Sequence, residues 1–212
     1  MRRHPPLQNR VTPEGEIIAT PARGTMMGNR GGCLHTLDRQ LGHRRWVSRQ
    51  WICCSIAFNG RQRRVMAPGR YTELFFLDEA TALAAGHRPC FECRRAEAQR
   101  FAKLWALAHG TRDAPARAAD MDRILQEQRV GAVGTKRTHR ASLADLPDGT
   151  FIRLATGPAV IVGQWLLAWT PAGYTHRVTC DGEAEVLTPP GIIAVMKSGY
   201  TPVMHETVQV LR

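Results

Sequence analysis

Residues 71–95 read YTELFFLDEATALAAGHRPCFECRR, and this stretch decides the fold around it. Its opening residues are aromatic, β-branched and apolar, a composition that predicts a buried strand. Asp78 then offers an N-cap oxygen to a short helix of strong helix formers, and Gly86 stands where a left-handed residue commonly ends such a helix. Cys90 and Cys93 follow in a C-x-x-C turn. The stretch therefore predicts a strand, a capped helix and a cysteine turn in direct succession.

The C-x-x-C turn, which we call the knuckle (residues 90–93), supplies two thiolates that can hold one tetrahedral zinc ion. A redox pair and two ordinary buried cysteines are the competing interpretations. A thioredoxin-like pair stands at the start of a helix directly after a strand, whereas this pair follows a helix and is flanked by arginines. The sequence thus favours zinc, with Cys90 and Cys93 as ligands and the remaining ligands supplied from elsewhere in the chain.

The third ligand is predicted from the apolar segment 46–58. Strand alternation places Cys54 on one face, together with isoleucines and a phenylalanine, and Cys53 on the other. The face of Cys54 is the more apolar, so we expect this thiol to point inward beside the knuckle strand, although an ordinary core cysteine has the same pattern. The other candidate ligands are Cys53, His87, Cys33 and His35.

Residues 75–93, FFLDEATALAAGHRPCFEC, resemble the metal-binding domain of the Ada family of DNA methylphosphotriester repair proteins. The resemblance extends over roughly residues 51–95 and implies a zinc-binding, DNA-facing module in which Cys90 and Cys93 are the two late zinc ligands. The family also carries an early cysteine pair with C-x-x-x-C spacing, and the corresponding region here, residues 59–63, contains no cysteine. Methyl transfer to a cysteine is therefore not implied.

The charge of the chain is distributed unevenly. The net charge is +11, and residues 1–64 contain 12 arginines against three acidic residues. This asymmetry predicts a surface that faces a polyanion, since the planar arginine fork binds two phosphate oxygens at once. We expect nucleic acid as the partner, with DNA favoured over RNA. The predicted contacts are Arg30, Arg44, Arg45, Trp46, Arg61, Arg63, Arg64, Arg88, Arg94 and Arg95.

The cellular context is predicted from what the sequence lacks. It contains no apolar run of membrane length and no apolar segment after its basic start, so we expect no membrane association and a cytoplasmic location. In that compartment six cysteines favour metal binding or free thiols over disulfides.

The predicted fold class is α+β, with a small antiparallel sheet, a zinc knuckle and packed helices, followed by a β-rich part. Strands are expected near 44–49, 51–58, 61–66 and 71–77, and helices over 94–109 and from a cap at Asp113 to Gly131. The predicted organisation has four parts. They are an extended arm (1–24), an Ada-like zinc-binding α+β domain (25–131), a basic linker loop (132–149) and a β-rich C-terminal subdomain (150–212).

Three functions are compatible with these patterns. The first is a zinc-stabilised DNA-binding protein of DNA repair or defence. The second is an enzyme for a phosphorylated small substrate, in which His139 and Lys136 act beside the glycine-rich loop 24–32. The third is a structural zinc module of a nucleoprotein assembly. The second requires the two loops to meet in a pocket next to the knuckle, and an exposed connector is the alternative interpretation of residues 131–140.

Overall fold

The computed structural model describes residues 5–62, 64–110 and 114–211. Within these residues, two sheets of six strands each and five α-helices form an α+β fold, which confirms the predicted class. The helices are α1 (Glu79–Ala84), α2 (Arg95–Ala108), α3 (Ala118–Arg129), α4 (Pro190–Lys197) and α5 (Thr207–Leu211).

The first sheet is mixed and has the strand order β2-β1-β5-β3-β4-β6. Its strands are β1 (Gln8–Val11), β2 (Ile17–Ala19), β3 (Met26–Arg30), β4 (Trp51–Ser55), β5 (Leu74–Phe76) and β6 (Arg88–Pro89). The pairs β1–β5 and β4–β6 are parallel, so the prediction of a purely antiparallel sheet is wrong at these two pairs. The short strand β6 pairs with β4 and directly precedes the knuckle, so the knuckle lies beside β4.

The second sheet is antiparallel throughout and has the order β11-β10-β9-β8-β12-β7. Its strands are β7 (His139–Ser142), β8 (Phe151–Leu154), β9 (Gly157–Val162), β10 (Trp165–Thr170), β11 (Gly173–Val178) and β12 (Glu183–Val186). It corresponds to the predicted β-rich part, except that its edge strand β7 comes from the segment 132–149, which we predicted to be a linker loop.

Several predicted elements differ from the structure at the N-terminal side. Residues 1–24, predicted to be an arm, contribute β1 and β2 to the first sheet, because Val11 and Ile17 find apolar partners in the core there. No strand forms at 44–49 or in the described part of 61–66. The predicted cap at Asp113 lies outside the described residues.

One hydrophobic core crosses the predicted domain boundaries. Leu83, Phe101 and Met121 pack in the same cluster as Ile152 and Val186. Residues on both sides of segment 132–149 are therefore buried together, and the helices α2, α3 and α4 lie in this shared cluster.

The N-terminus of α1 carries a cluster of buried hydrogen bonds. The Asp78 carboxylate is fully buried and accepts hydrogen bonds from Thr81 (N at 2.8 Å, Oγ1 at 2.7 Å), from the Tyr174 hydroxyl at 2.7 Å and from the His205 N–H at 2.9 Å. Asp78 thus caps the helix as predicted and also ties α1 to β11 and to the segment before α5.

We expect Asp78→Ala to lower the free energy of unfolding by about 3 kcal/mol or more, because buried donors would lose their acceptor. Urea unfolding followed by circular dichroism measures this loss. The control is Asp145→Ala, at an exposed aspartate, with an expected loss below about 0.5 kcal/mol. Equal losses in the two variants would contradict the assigned role of Asp78.

Candidate metal centre

Strand β4 presents its two cysteines to opposite sides of the first sheet. Cys53 is completely buried in a core cluster, and its sulfur lies 3.5 Å from the Arg94 guanidinium. Cys54 points the other way, into a cavity. Our assignment of the inward face was therefore wrong: Trp51 and Cys53 face the core, because α1 packs on that side, and Ile56 on the opposite face is half exposed.

Hydrogen bonds to the backbone of the knuckle hold it against β4. Strand β6 pairs with β4 in parallel, and the Cys90 N–H donates to the Cys53 carbonyl at 2.9 Å. The Ser55 hydroxyl donates to the Cys93 carbonyl at 3.4 Å. Both ends of the knuckle are thus fixed to the strand that carries Cys54, which explains why this cysteine, rather than its neighbour, meets the pair.

The sulfur atoms of Cys54, Cys90 and Cys93 all lie within 4.8 Å of one another. Cys54 and Cys90 are buried and Cys93 is half-buried. Within residues 5–62, 64–110 and 114–211, no other cysteine, histidine or carboxylate joins this group or forms another of its kind. Three sulfurs at this separation can bind one metal ion in common.

Electrostatics inside the group favour a thiolate at Cys90. A hydrogen bond from the Cys54 thiol lowers the pKa of Cys90 to about 5, and the Glu92 N–H, 3.4 Å from the sulfur, adds to the effect. The same bond to Cys90, together with burial, raises the pKa of Cys54. Cys90 is therefore the thiol that ionises most readily, and a bound cation would replace the protons that the thiols hold.

The three cysteines line a cavity of about 500 Å³, which we call the cysteine cavity. Glu73 lies in its wall and is buried; one carboxylate oxygen accepts the Met66 N–H at 2.8 Å, and the other, Oε1, accepts no hydrogen bond from the described residues. Arg61 at the edge pairs with Glu92 of the knuckle at 2.6 Å. The remaining walls are mostly apolar and include Ile52, Phe58, Tyr71 and Phe75.

The other candidate ligands have partners elsewhere. His87 is buried between Trp51 and Phe76, and its Nε2 accepts from Arg30 at 3.3 Å. Cys33 and His35 contact each other, with the Cys33 sulfur 3.6 Å from the His35 Nδ1. The structure places none of these three candidate ligands with the three cysteines.

Three of the predicted nucleic-acid contacts are buried and are corrected here. Arg88 forms two hydrogen bonds with Asp122, at 2.9 and 2.7 Å, and Arg94 pairs with Glu79 at 2.8 Å. Arg30 is only 1% exposed. Buried arginines of this kind cannot reach the backbone of a duplex. Arg88 and Arg94 occur here because each pairs with a buried carboxylate of the interior.

The remaining predicted contacts lie at the surface, apart from Arg63, which is outside the described residues. Arg44, Arg45, Arg61, Arg64 and Arg95 are exposed, and Trp46 is half-buried. Arg61 lines the cysteine cavity, and Arg64 lines a neighbouring hollow that has Glu73 in common with it. Exposed arginines of the segment between β4 and β5 therefore lie beside that cavity.

The segment predicted to be a glycine-rich loop, 24–32, is mostly strand β3 (Met26–Arg30), and the end of that strand meets the basic loop at a second cavity. Arg30 and Lys136 both line it, whereas His139, half-buried on β7, does not. The linings of the two cavities share no residue. The condition that we set for the small-substrate enzyme, a meeting of these loops beside the knuckle, is therefore not met.

Comparisons of the chain with protein-family models, with curated proteins and with solved structures gave no match. None of the helices in the described part of the chain combines the length and the apolar composition needed to cross a membrane.

The protein should contain one metal ion per chain when it is purified without chelators, because three sulfurs converge. Serine at position 54, 90 or 93 should remove most of the metal, as measured by elemental analysis and thiol titration. The matched control is Cys33→Ser, which changes an exposed cysteine outside the group and should leave the metal content unchanged. Metal-free wild-type protein, or equal metal loss in the control, would rule out the site.

Proposed function

We propose that this chain is a zinc-stabilised DNA-binding protein of DNA repair or defence that contacts the phosphate backbone through exposed arginines. The observation that carries the proposal is the group of three cysteines at the wall of a cavity whose surroundings carry exposed arginines. Metal site and cationic surface are thereby parts of one region, as a DNA-facing zinc module requires.

Zinc suits the three sulfurs because it is bound by cysteine thiolates in tetrahedral sites. Three protein ligands leave one coordination position, and all three cysteines line the cavity from which a further ligand can approach. When bound, zinc would stabilise the thiolates and offer a Lewis acid to that ligand. The residues of the chain hold the thiolates in place through β4 and the backbone of the knuckle.

The arginines near the cavity suit phosphate groups. Arg61, Arg64 and Arg70 are exposed and lie in the segment between β4 and β5, which passes beside the cysteine cavity. Phosphate contacts position a protein on nucleic acid without reading its sequence. The preference for DNA over RNA rests on the resemblance of residues 51–95 to the Ada family. Methyl transfer is not part of the proposal, because the early cysteine pair of that family is absent.

The cysteine cavity itself suits an unstacked nucleobase. Its aromatic and aliphatic walls, among them Phe58 and Phe75, can pack against a base. The free Oε1 of Glu73 can accept a hydrogen bond from an exocyclic amino group, since a buried carboxylate oxygen without a partner is costly. The arginines would thus hold the backbone while a base enters the cavity.

Arg61→Ala and Arg64→Ala should each weaken binding to DNA oligonucleotides and reduce the slope of log affinity against log salt by about one. Fluorescence anisotropy over a salt series gives both quantities. The control is Arg123→Ala, which breaks an exposed ion pair with Glu127 on α3 and should change neither. No affinity for DNA in the zinc-loaded wild type would favour the structural module of a nucleoprotein assembly instead.

Glu73→Gln should weaken binding to single-stranded DNA by about tenfold, because a contact to a base edge contributes roughly 1–3 kcal/mol. The salt slope should stay at the wild-type value, since no phosphate contact is lost. Anisotropy titrations with an adenine- or cytosine-containing strand, and with the same strand carrying an abasic position, separate the two effects. If Glu73→Gln alters the slope but not the affinity at low salt, Glu73 does not contact a base.

A further inference from the structure

The second cavity, which we call the cationic cavity, measures about 650 Å³ and lies against the other face of β3 and β4. It is lined by residues of β3, β4 and α3, of the loop between α3 and β7, and of the turn between β1 and β2. Five cationic side chains face two carboxylates in its walls. They are Arg30, Arg45, Arg129, Lys136 and Arg153 against Glu14 and Glu16.

The innermost cations have no carboxylate partner. Arg30 and Arg129 are 1% and 2% exposed, and within the described part of the chain no carboxylate lies within ion-pair distance of either, or of the half-buried Lys136. Of the two acids in the lining, Glu14 is paired with Arg153 at 2.7 Å. Buried charges are normally paired, so this arrangement is incomplete without an anion.

Neutral acceptors hold the cations in place, and some N–H groups of these cations remain available to a ligand. Arg30 donates to the Gly15 carbonyl at 2.8 Å and to His87 at 3.3 Å; Lys136 donates to the Ala84 carbonyl at 2.5 Å. Arg30 also has a third acceptor, the Arg45 carbonyl at 3.3 Å. These bonds engage three of the five N–H groups of an arginine and one of the three of a lysine. The donors that remain are oriented by the fold before any ligand arrives.

Trp51 aligns the two arginines with each other. The guanidinium carbons of Arg30 and Arg129 lie over its ring, 3.9 and 4.1 Å from the centroid. Arg129 is fixed further by its bonds to the Gly86 and Arg49 carbonyls, both at 2.6 Å, and to the Gln126 side-chain oxygen, from Nε at 3.2 Å and from Nη2 at 2.7 Å. One of its five N–H groups therefore remains for a ligand. An aromatic ring attracts a cation weakly and carries no net charge, so it orients these groups without neutralising them.

We propose that the cationic cavity is a binding site for a small phosphorylated molecule, whose phosphate oxygens are held by Arg30, Arg129 and Lys136. A phosphate monoester brings close to two negative charges and three acceptor oxygens, which suits several converging donors. The depth of the two arginines excludes a duplex backbone, whereas a cavity of about 650 Å³ has the size of a small-molecule site. Trp46 at the edge offers a ring to an organic portion of the ligand.

A measurable proton linkage follows from the same arrangement. Burial, and then the charges of Arg30, Arg129 and Arg153, lower the pKa of Lys136 to about 7, against a smaller opposing effect of Glu14. His87 and His139, whose own pKa values are lowered with Lys136 among the causes, are the other titratable groups nearby. A bound phosphate raises the pKa of Lys136. Binding therefore takes up protons above neutral pH, and affinity falls as the pH rises through this range.

The test is isothermal titration calorimetry of the full chain with inorganic phosphate, pyrophosphate, adenosine monophosphate and adenosine at constant ionic strength. We expect phosphate-containing ligands to bind and adenosine not to bind. Two buffers of different ionisation enthalpy should show proton uptake at pH 7.5–8 that is roughly a fraction of one proton per ligand. Tighter binding of the nucleotide identifies an organic phosphate as the ligand class, and tighter binding of the inorganic ions identifies free phosphate.

Lys136→Met removes the charge and keeps the length of the side chain. It should weaken phosphate binding about tenfold or more and abolish proton uptake, since one charge-assisted contact is lost. Lys103→Met, at an exposed position on α2, is the matched control and should bind as the wild type does. If circular dichroism shows that Lys136→Met is unfolded, Arg45→Ala at the exposed edge decides, with an expected weakening of several-fold.

Three results would overturn the proposal. The first is the absence of binding heat and of thermal stabilisation with every phosphate ligand at millimolar concentration. The second is equal affinity in the variants and in Lys103→Met. The third is competition by stoichiometric duplex DNA, which would make the cavity part of a DNA-binding surface. The proposal does not rest on the metal centre, because the cysteine cavity lies on the opposite face of the sheet.

Discussion

Two adjacent buried carboxylates at the start of α1, Asp78 and Glu79, connect the parts of this structure that carry its chemistry. Asp78 binds Tyr174 of the second sheet, while Glu79 accepts from the Tyr200 hydroxyl at 2.6 Å and pairs with Arg94 at 2.8 Å. Arg94 follows the knuckle directly. The charge of Glu79 is tolerated in the interior because an arginine and a hydroxyl satisfy it. The second sheet, the C-terminal segment and the knuckle are thereby held to a single helical turn, which makes the site dependent on the whole fold.

The alternation of β3 and β4 then separates two kinds of chemistry. Met27 pairs with Cys54 and faces the cysteine cavity, whereas Arg30 pairs with Trp51 and faces the cationic cavity. Side chains of successive residues point to opposite sides of a strand, so one pair of strands can present thiols on one face and guanidinium groups on the other. A thiolate group and a cluster of cations attract each other strongly in a medium of low dielectric constant, and the intervening sheet keeps each available for an outside ligand.

The sequence predicts local structure and misses what packing decides. The cap at Asp78, the stop at Gly86 and the knuckle depend on neighbours in the chain, and the structure has all of them. Cys54 was placed on the correct strand with the inward face reversed, because alternation reveals two faces without showing which of them α1 covers. Glu73 is the one acidic residue in the apolar run YTELFF of residues 71–76. The sequence shows this acid, but it cannot show that the carboxylate is buried until its surroundings are known. The roles of residues 5–24 depend on pairing with β5, a contact distant in sequence.

Arginine content shows most clearly why composition alone could not locate the functional surfaces. The excess of positive charge in residues 1–64 predicts a polyanion partner, yet Arg30 from this region is buried under Trp51 while Arg61 and Arg64 are exposed beside the cysteine cavity. An exposed arginine can contact the backbone of a large polyanion, with its charge screened by salt, whereas a buried one can contact only a ligand that enters its cavity. In the two proposals the same residue type serves two different kinds of anion recognition, and burial distinguishes them. Net charge predicts an anionic partner, and the position of each guanidinium limits the size of the anion that could reach it.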